Sequence, residues 1–237
     1  MENMKYILKS LVGSKAHGLS NPQSDTDLRG VFLVPTSDIL SLGYKEKAVA
    51  WVEGQGEDAT SYEIGHYLHL ACKSNMSILE VLVSPVIEST PEGDELRKLF
   101  PYVWNSNDVF NASLGYSHNQ RKKFLEDKDE RPWKYAVAQI RTLLLGIECL
   151  KYGTMTVNVE AQEHYVHFDF PGLKDSVKET LMSMKEGYFR DKGFVIDWSE
   201  FLTKELKKAY EANPNKKTDM KKVNDFLLKV RQDNWNA

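Results

Sequence analysis

The stretch that most restricts the fold of this chain is LVGSKAHGLSNPQSDTDLRGVF, residues 11–32, in which polar residues lie between two apolar runs. Gly13 and Ser14 follow the first run, and Asp25 and Asp27 come just before the second. Turn formation accounts for SNPQSD but does not require two acids one residue apart. Because a strand has a period of two, both acids are expected on one strand face. The pattern predicts a Gly-Ser turn followed by an extended segment that carries paired carboxylates.

This pairing of residue types has a chemical meaning. Two adjacent ionised carboxylates repel each other, and a divalent cation between them relieves that repulsion. Carboxylate oxygens are ligands that suit Mg²⁺ or Mn²⁺. A Gly-Ser turn lets backbone N–H groups and a hydroxyl approach a phosphate closely, because glycine has no side chain in the way. Phosphate binding beside such a metal site favours phosphoryl or nucleotidyl transfer.

A third carboxylate is expected from a neighbouring strand, and Asp58 in the segment DATSY is the candidate. Glu57 would face the other way in an extended segment. In a two-metal site, Asp25 and Asp27 would bridge the metals and Asp58 would bind or polarise the attacking hydroxyl. The alternative is ordinary: a polar turn at Asp25 and Asp27, and a solvated loop acid at Asp58.

The composition is that of a globular protein, with 237 residues, 41% hydrophobic and 27% charged. The N-terminal residues lack the apolar region of a signal peptide, and no run approaches the roughly 18 apolar residues of a membrane span. A cytoplasmic location without a membrane partner is therefore expected. Cys72 and Cys149 have no Cys or His at zinc spacing nearby, so both are predicted to be buried free thiols.

Charge is unevenly distributed along the chain. The net charge of −3 argues against a protein whose whole surface binds nucleic acid, but residues 204–231 contain nine Lys or Arg and four acids. This segment is therefore a candidate surface for RNA or DNA. Two solvated amphipathic helices, with lysines that serve solubility alone, are the alternative interpretation.

The secondary structure pattern divides the chain into two parts. Strands are expected at 28–34 and 47–52, with helices at 62–72 and directly after Asn75. Residues 154–170 suggest a hairpin or two irregular strands. Further helices are expected at 107–125, 133–152, 175–187, 198–212 and 219–232. These elements predict an α+β fold: a small mixed or antiparallel sheet with helices in residues 1–105, followed by a mainly helical region, 106–237.

Four segments carry a resemblance to a known family. They read, in order, GSKAHGLSNPQSDTDLRGVF, EDATSYEIGHYLHLACKSNMSILEVL, GYSHNQRKKF and KYAVAQIRTLLLGIECLKYGT. Together they resemble the nucleotidyltransferases of the DNA polymerase β superfamily. More narrowly, they are similar to a bacterial and phage branch that includes an RNA-repair-associated polymerase β-like group. The resemblance spans about residues 5–157, and its core is the combination of Gly-Ser, Ser-Asp-x-Asp, Arg-Gly and a downstream acid.

The resemblance implies a nucleotidyltransferase catalytic domain at 1–105 and a helical acceptor- or nucleotide-binding region at 106–237. It implies that Gly13 and Ser14 bind nucleotide phosphates, and that Asp25, Asp27 and Asp58 bind Mg²⁺ or Mn²⁺ and act in catalysis. It also draws attention to a further set of nucleotide-binding candidates: Ser24, Arg29, Lys134 and Arg141.

Some of these assignments have simpler alternatives. Lys134 and Arg141 lie seven residues apart, and so nearly on one helix face, where they would reach a triphosphate or an acceptor. Surface Lys and Arg are common, however, and a solvated face is equally consistent with the spacing. His17 either touches a nucleotide or fills space in the turn.

Three functions are open at this point. The first is metal-dependent transfer of NMP from an NTP such as ATP to a hydroxyl of RNA, protein or a small molecule. The second is a catalytically silent relative that binds nucleotide or nucleic acid. The third is a toxin–antitoxin type component that modifies a protein and docks through helices 198–232. The intact Gly-Ser and the three acids favour the first, because silent relatives usually lose an acid.

Overall fold

The computed structural model describes residues 5–45, 48–51, 57–127, 131–161, 170–173 and 176–235. Its strands are β1 Lys5–Val12, β2 Thr26–Leu33, β3 Ala48–Trp51, β4 Glu57–Glu63 and β5 Val86–Ser89. Its α-helices are α1 Gly13–Ala16, α2 Thr36–Ile39, α3 Ile64–Ala71, α4 Met76–Val83, α5 Pro91–Arg97, α6 Ser106–Leu125, α7 Pro132–Tyr152, α8 Val177–Glu186, α9 Lys192–Ala212 and α10 Met220–Asp233. Short 3₁₀ turns occur at Phe100–Tyr102 and Val159–Ala161. The predicted α+β class, with a mixed sheet and a helical C-terminal part, is confirmed.

The chain divides into two compact units. The sheet unit comprises residues 1–105 together with 217–237, and the helical unit comprises residues 106–216. The sequence pattern placed all of 106–237 in one region, whereas α10 returns to the sheet unit. No helix in the described ranges is both long and apolar enough to cross a bilayer.

The sheet has five strands in the order β3-β4-β2-β1-β5. β2 and β4 are parallel, and the other neighbouring pairs are antiparallel, which makes the sheet mixed. The central strand β2 is predominantly apolar after Asp27, and Leu28, Val31 and Phe32 are buried. Such a run is typical of a strand with neighbours on both sides. The segment DATSY lies in β4 beside β2, as the sequence predicted.

Helices α3 and α4 cover the sheet. The Glu63 side chain caps α3 by accepting a hydrogen bond from the Gly65 N–H at 2.7 Å, which satisfies a backbone donor at the helix start. Tyr67 is fully buried, and its hydroxyl donates to the Ile78 carbonyl at 2.9 Å. This bond fixes one helix against the other.

The last helix binds to the end of the sheet where β2 and β4 finish and β1 begins. The Arg231 guanidinium lies 2.6 Å from the Glu63 carboxylate, and both side chains are largely buried. Thr36, just after β2, donates from its hydroxyl to the Arg231 carbonyl at 2.7 Å and from its N–H to the Asn234 carbonyl at 3.0 Å. Lys5 at the start of β1 donates to the Asn234 side chain at 3.3 Å. These bonds hold three strands at one end.

Replacing Arg231 with alanine is expected to lower the free energy of unfolding by about 2 kcal/mol, because it leaves the buried Glu63 carboxylate without its cation. Urea unfolding of both proteins measures the difference. Lys221→Ala is the matched control, since Lys221 pairs with Asp225 on the exposed face of the same helix. Equal unfolding midpoints for the two variants would show that the Arg231 pair does not hold α10 in place.

The helical unit is centred on α7, whose buried positions include Ile140, Leu144 and Ile147. Gly146 allows α6 to approach, because a Cβ there would lie 2.9 Å from the Ser113 Cβ. Gly153 ends α7 in the left-handed region with φ of 70°, a conformation in which glycine commonly closes a helix. The α6 and α7 predictions are therefore confirmed.

Two element predictions in this unit differ from the structure. Residues 154–161 contain the 3₁₀ turn rather than a strand, and most of the remaining hairpin segment, 162–169, lies outside the described residues. The second difference is the start of α9, at Lys192 instead of about residue 198. Asp191 caps this helix by accepting from the Phe194 N–H at 3.0 Å, a local signal that moves the start to the acid.

Cys72 and Cys149 are both free thiols, as predicted. Cys149 is buried, whereas Cys72 follows the end of α3 and is only partly buried, which corrects the prediction that both would be buried. Burial raises the pKa of the Cys72 thiol and, more strongly, that of Cys149. Both groups are therefore in the thiol form at neutral pH.

Candidate active site

Three distant parts of the sequence meet in one row across the sheet. Val12, the last residue of β1, pairs with Asp27 of β2, because β1 and β2 are antiparallel. Asp27 in turn pairs with Asp58 of β4, because β2 and β4 are parallel and in register. The Asp58 side chain lies outside the described part of the chain. The backbone row Val12, Asp27, Asp58 thus brings the Gly-Ser turn and two of the predicted acids together.

Gly13 follows Val12 directly and contacts the Asp27 side chain. A Cβ added at Gly13 would overlap the Asp27 Oδ2 atom and would lie 2.7 Å from its Cγ. Gly13 also has a φ of 67°, in the left-handed region that favours glycine. Two independent features therefore require glycine here, namely the backbone conformation and the close approach of a carboxylate.

The turn after Gly13 is a single helical turn closed by its own backbone. The His17 N–H donates to the Gly13 carbonyl at 3.1 Å, and the Leu19 N–H donates to the Ser14 carbonyl at 2.9 Å. Lys15 is exposed, and its ammonium donates to the Thr26 hydroxyl. Thr26 lies between the two predicted acids in sequence, so a cation is held beside them. Sequence reasoning missed Lys15, although its position directly after Gly-Ser was a signal.

Asp25 and Ser24 precede β2 rather than belonging to it. Because β2 begins at Thr26, Asp25 directly precedes the strand, and the prediction that it shares a face with Asp27 stays a prediction. Asp25 is exposed, while Asp27 is partly buried. The Ser24 hydroxyl donates to the Asn21 side chain at 3.0 Å and accepts from the Asn21 N–H at 2.9 Å. These hydrogen bonds between Ser24 and Asn21 stabilise the turn that leads into Asp25.

Arg29 lies two residues beyond Asp27 on β2, opposite Ser10 of β1 and Thr60 of β4. Its Nη1 donates to the Leu28 carbonyl at 3.0 Å, and the side chain is partly exposed. The neighbouring Gly30 allows β2 to approach β4, since a Cβ there would lie 3.2 Å from the Ser61 Cβ. The Arg-Gly pair therefore combines a positioned cation with a close strand contact.

No group of three or more His, Cys, Asp or Glu side chains arranged for a metal ion occurs among the side chains described. The predicted set of three acids is not decided by this, because the Asp58 side chain is not one of those side chains. The metal-binding roles of Asp25, Asp27 and Asp58 stay predictions.

Residues 1–229 match the RlaP family, described as the RNA repair pathway DNA polymerase beta family. The chain belongs to this family. The family assignment makes it a nucleotidyltransferase-like protein of the DNA polymerase β superfamily, as the motifs indicated. The matched range includes most of α10, so the C-terminal part of the sheet unit belongs to the sequence that the family shares.

Two relatives and one solved structure are among the proteins similar to this chain. The "Uncharacterized 38.9 kDa protein in nrdC-mobD intergenic region" of Enterobacteria phage T4 is 27% identical over 136 residues, which are 51% of this chain and 39% of the phage protein. YcgL of Bacillus subtilis (strain 168) is 24% identical over 233 residues, covering 94% of this chain and 88% of that protein. The solved structure is that of a nucleotidyltransferase-like protein from Exiguobacterium sibiricum 255-15, which is 9% identical with a TM-score of 0.30. The match covers 97% of this chain and 74% of the chain in that structure.

Lys134 and Arg141 lie on α7 in the helical unit, whereas Asp27 and the Gly-Ser turn belong to the sheet unit. Lys134 is exposed and Arg141 is buried, with 9% of its surface accessible. Although they are seven residues apart on one helix, their environments differ. Their proposed contact with nucleotide stays a prediction.

The basic residues of 204–231 are divided between the two units, because α9 lies in the helical unit and α10 in the sheet unit. Seven of the nine have an acidic or aromatic partner within the protein. These contacts are Lys207–Glu211, Lys208–Glu205, Lys216–Tyr210, Lys221–Asp225, Lys222–Tyr102, Lys229–Glu95 and Arg231–Glu63. The positive charge is therefore largely balanced locally.

Proposed function

We propose that this protein is a metal-dependent nucleotidyltransferase that transfers NMP from an NTP to a hydroxyl group of an acceptor. The observation that carries the proposal is the backbone row Val12, Asp27, Asp58, with Gly13 in contact with the Asp27 carboxylate. This row brings a glycine turn and two acids from separate strands to one end of β2. Membership of the RlaP family supports the same reaction class.

Mg²⁺ or Mn²⁺ would be held by Asp27 and Asp58, with Asp25 from the turn before β2. The residues fit such an ion chemically, because carboxylate oxygens are its preferred ligands. A side chain at position 13 would displace the Asp27 carboxylate, so the glycine keeps room for that group. When bound, the cation supplies positive charge that offsets the triphosphate and lowers the pKa of the attacking hydroxyl.

The other residues of the turn would bind and orient the nucleotide. Ser14 is partly exposed and presents a backbone N–H and a hydroxyl beside Gly13, which are donors suited to phosphate oxygens. Lys15 adds a positive charge one residue further on and is held by Thr26. Arg29 is a further cation on the same strand as Asp27. These groups would position the transferred phosphorus for attack by the acceptor.

The acceptor is proposed to be RNA, protein or a small molecule. An RNA acceptor would use exposed lysines of α9, such as Lys207 and Lys208, or of α10, such as Lys221, because their surface ion pairs are weak enough for a phosphate to replace the carboxylate. The test is incubation of the purified chain with each radiolabelled NTP, Mg²⁺ or Mn²⁺, and a panel of RNA, protein and small-molecule acceptors. Transfer of label to one class identifies the acceptor. A lack of label on every acceptor, with every NTP, would contradict the proposal.

Nucleotide binding is expected to require a divalent cation, because the carboxylates near Gly13 otherwise repel the triphosphate. Isothermal calorimetry with a non-hydrolysable NTP measures the affinity with Mg²⁺ or Mn²⁺ and again with EDTA. We expect binding at least about tenfold tighter with metal, corresponding to about 1.4 kcal/mol. The same nucleotide affinity with metal and with EDTA would contradict a metal ion in the proposed site.

A further inference from the structure

His17 and Glu80 form a buried pair next to the candidate site. His17 follows α1, and Glu80 lies on α4, with 7% of each residue's surface accessible. The His17 Nε2 and the Glu80 Oε2 are 3.6 Å apart, a contact that is an ion pair when the imidazole is protonated. Burying two such groups is costly unless they interact favourably. A surface turn does not need this arrangement.

The backbone of His17 connects this pair to Gly13. The His17 N–H donates to the Gly13 carbonyl, so the residue contacts the glycine through its backbone and Glu80 through its ring. Gly13 in turn contacts the Asp27 carboxylate. The contacts therefore run in sequence from Glu80 to His17, then to Gly13, and finally to Asp27.

The helix that carries Glu80 is itself attached to the strand that leads into the turn. The Ser10 hydroxyl donates to the Val81 carbonyl at 3.0 Å, next to Glu80. The Leu11 N–H donates to the Pro85 carbonyl at 2.9 Å, just beyond the end of α4. Because α4 and β1 are joined at two points, Glu80 offers a fixed reference for the position of His17.

We propose that His17 is a positioning residue which, held by Glu80, keeps Gly13 against Asp27 and so sets the geometry of the Gly-Ser turn. The role goes beyond the residues that would touch the nucleotide, since His17 acts through its neighbours. The expected effect of His17 on nucleotide affinity rests on the proposed function. Its expected effect on the stability of the turn does not, so turn stability and nucleotide affinity are tested separately.

The first test measures the turn in the protein without nucleotide. Amide hydrogen exchange is followed at Leu19, which donates to the Ser14 carbonyl, with Cys72, which donates to the Leu68 carbonyl, as an internal reference. His17→Ala is expected to speed exchange at Leu19 about tenfold and to leave Cys72 unchanged. Glu80→Gln is expected to act in the same direction, and it covers the case in which His17→Ala fails to fold. Unchanged exchange at Leu19 in either folded variant would overturn the proposal.

The second test measures NTP affinity in the presence of Mg²⁺ or Mn²⁺ by calorimetry. His17→Ala and Glu80→Gln are each expected to weaken binding about tenfold, and the double variant no more than either alone. His17→Gln, which retains a donor for Glu80, is expected to restore most of the affinity. His69→Gln, at an exposed position on α3, is the matched control.

The results separate the two proposals. If wild type binds no NTP with either metal, the nucleotidyltransferase proposal is contradicted, and the exchange measurement alone decides the role of His17. If wild type binds and the His17 and Glu80 variants bind equally well, the positioning role is overturned while the proposed function stands. Additive losses in the double variant would also overturn it, because the two residues would then act independently.

Discussion

Replacing Asp25 and Asp27 together with asparagine is expected to abolish nucleotidyl transfer while the protein remains folded. Asparagine matches aspartate in shape, so the side chain at position 27 still fits against Gly13. The variant loses the charge that would hold the cation. Loss of a residue that supports a metal ligand typically lowers activity roughly 10- to 100-fold, and loss of the ligand itself is expected to lower it further. Asp38→Asn, an exposed acid on α2, is the matched control and should retain full activity.

Thermal melting distinguishes a metal site from a structural role for these aspartates. Mg²⁺ or Mn²⁺ should raise the melting temperature of wild type and leave that of the double variant unchanged, because only the first binds the ion. Without metal, the variant should melt at the wild-type temperature or slightly above it, since the amides remove a like-charge repulsion. A variant that melts far below wild type without metal would mean that the aspartates form the turn, and the carboxylate site would have to be abandoned.

Replacing Gly13 is expected to have the second large effect, on both stability and nucleotide affinity. Alanine places a Cβ in overlap with the Asp27 carboxylate, and valine enlarges that overlap. Either residue must also adopt a φ of 67°, which costs about 1 to 2 kcal/mol for a residue with a Cβ. We expect NTP affinity to fall by more than about tenfold, because the displaced carboxylate no longer holds the cation.

Gly43→Ala separates these two contributions. Gly43 also has a positive φ, 88°, but a Cβ there would have no neighbour within 4 Å. Its alanine variant should lose stability from backbone strain alone and retain wild-type affinity. Urea unfolding and calorimetry on both variants measure the two quantities. If the two glycine variants lose stability equally and both retain affinity, the Gly13–Asp27 contact has no part in nucleotide binding.

The sequence alone was sufficient to locate several elements and to identify the residue types of the opening motif. Apolar periodicity located α6 and α7, because a helix with one buried face repeats its apolar residues at helical spacing. A run of apolar and β-branched residues located β2, because such residues favour the strand conformation. The Gly-Ser and the acids were found because glycine and paired carboxylates have few common structural roles.

Other features were decided by contacts between distant residues. The start of β2 depends on pairing with β1 and β4, so the exclusion of Asp25 from the strand was not visible locally. The return of α10 to the sheet unit depends on contacts such as Arg231 with Glu63, 168 positions apart in the sequence numbering.

The same distinction applies within the candidate site. Its residue types are a property of the sequence: glycine tolerates a positive φ, and carboxylates suit a divalent ion. Which of these residues meet is a property of the sheet, because the antiparallel pairing of β1 with β2 sets Gly13 against Asp27, and the parallel pairing of β2 with β4 sets Asp58 beside it in register. His17 acquires its buried partner in the same way, since Glu80 lies on a helix more than sixty residues away in the chain. Composition and periodicity record local preference, whereas strand register and helix docking depend on the whole buried core.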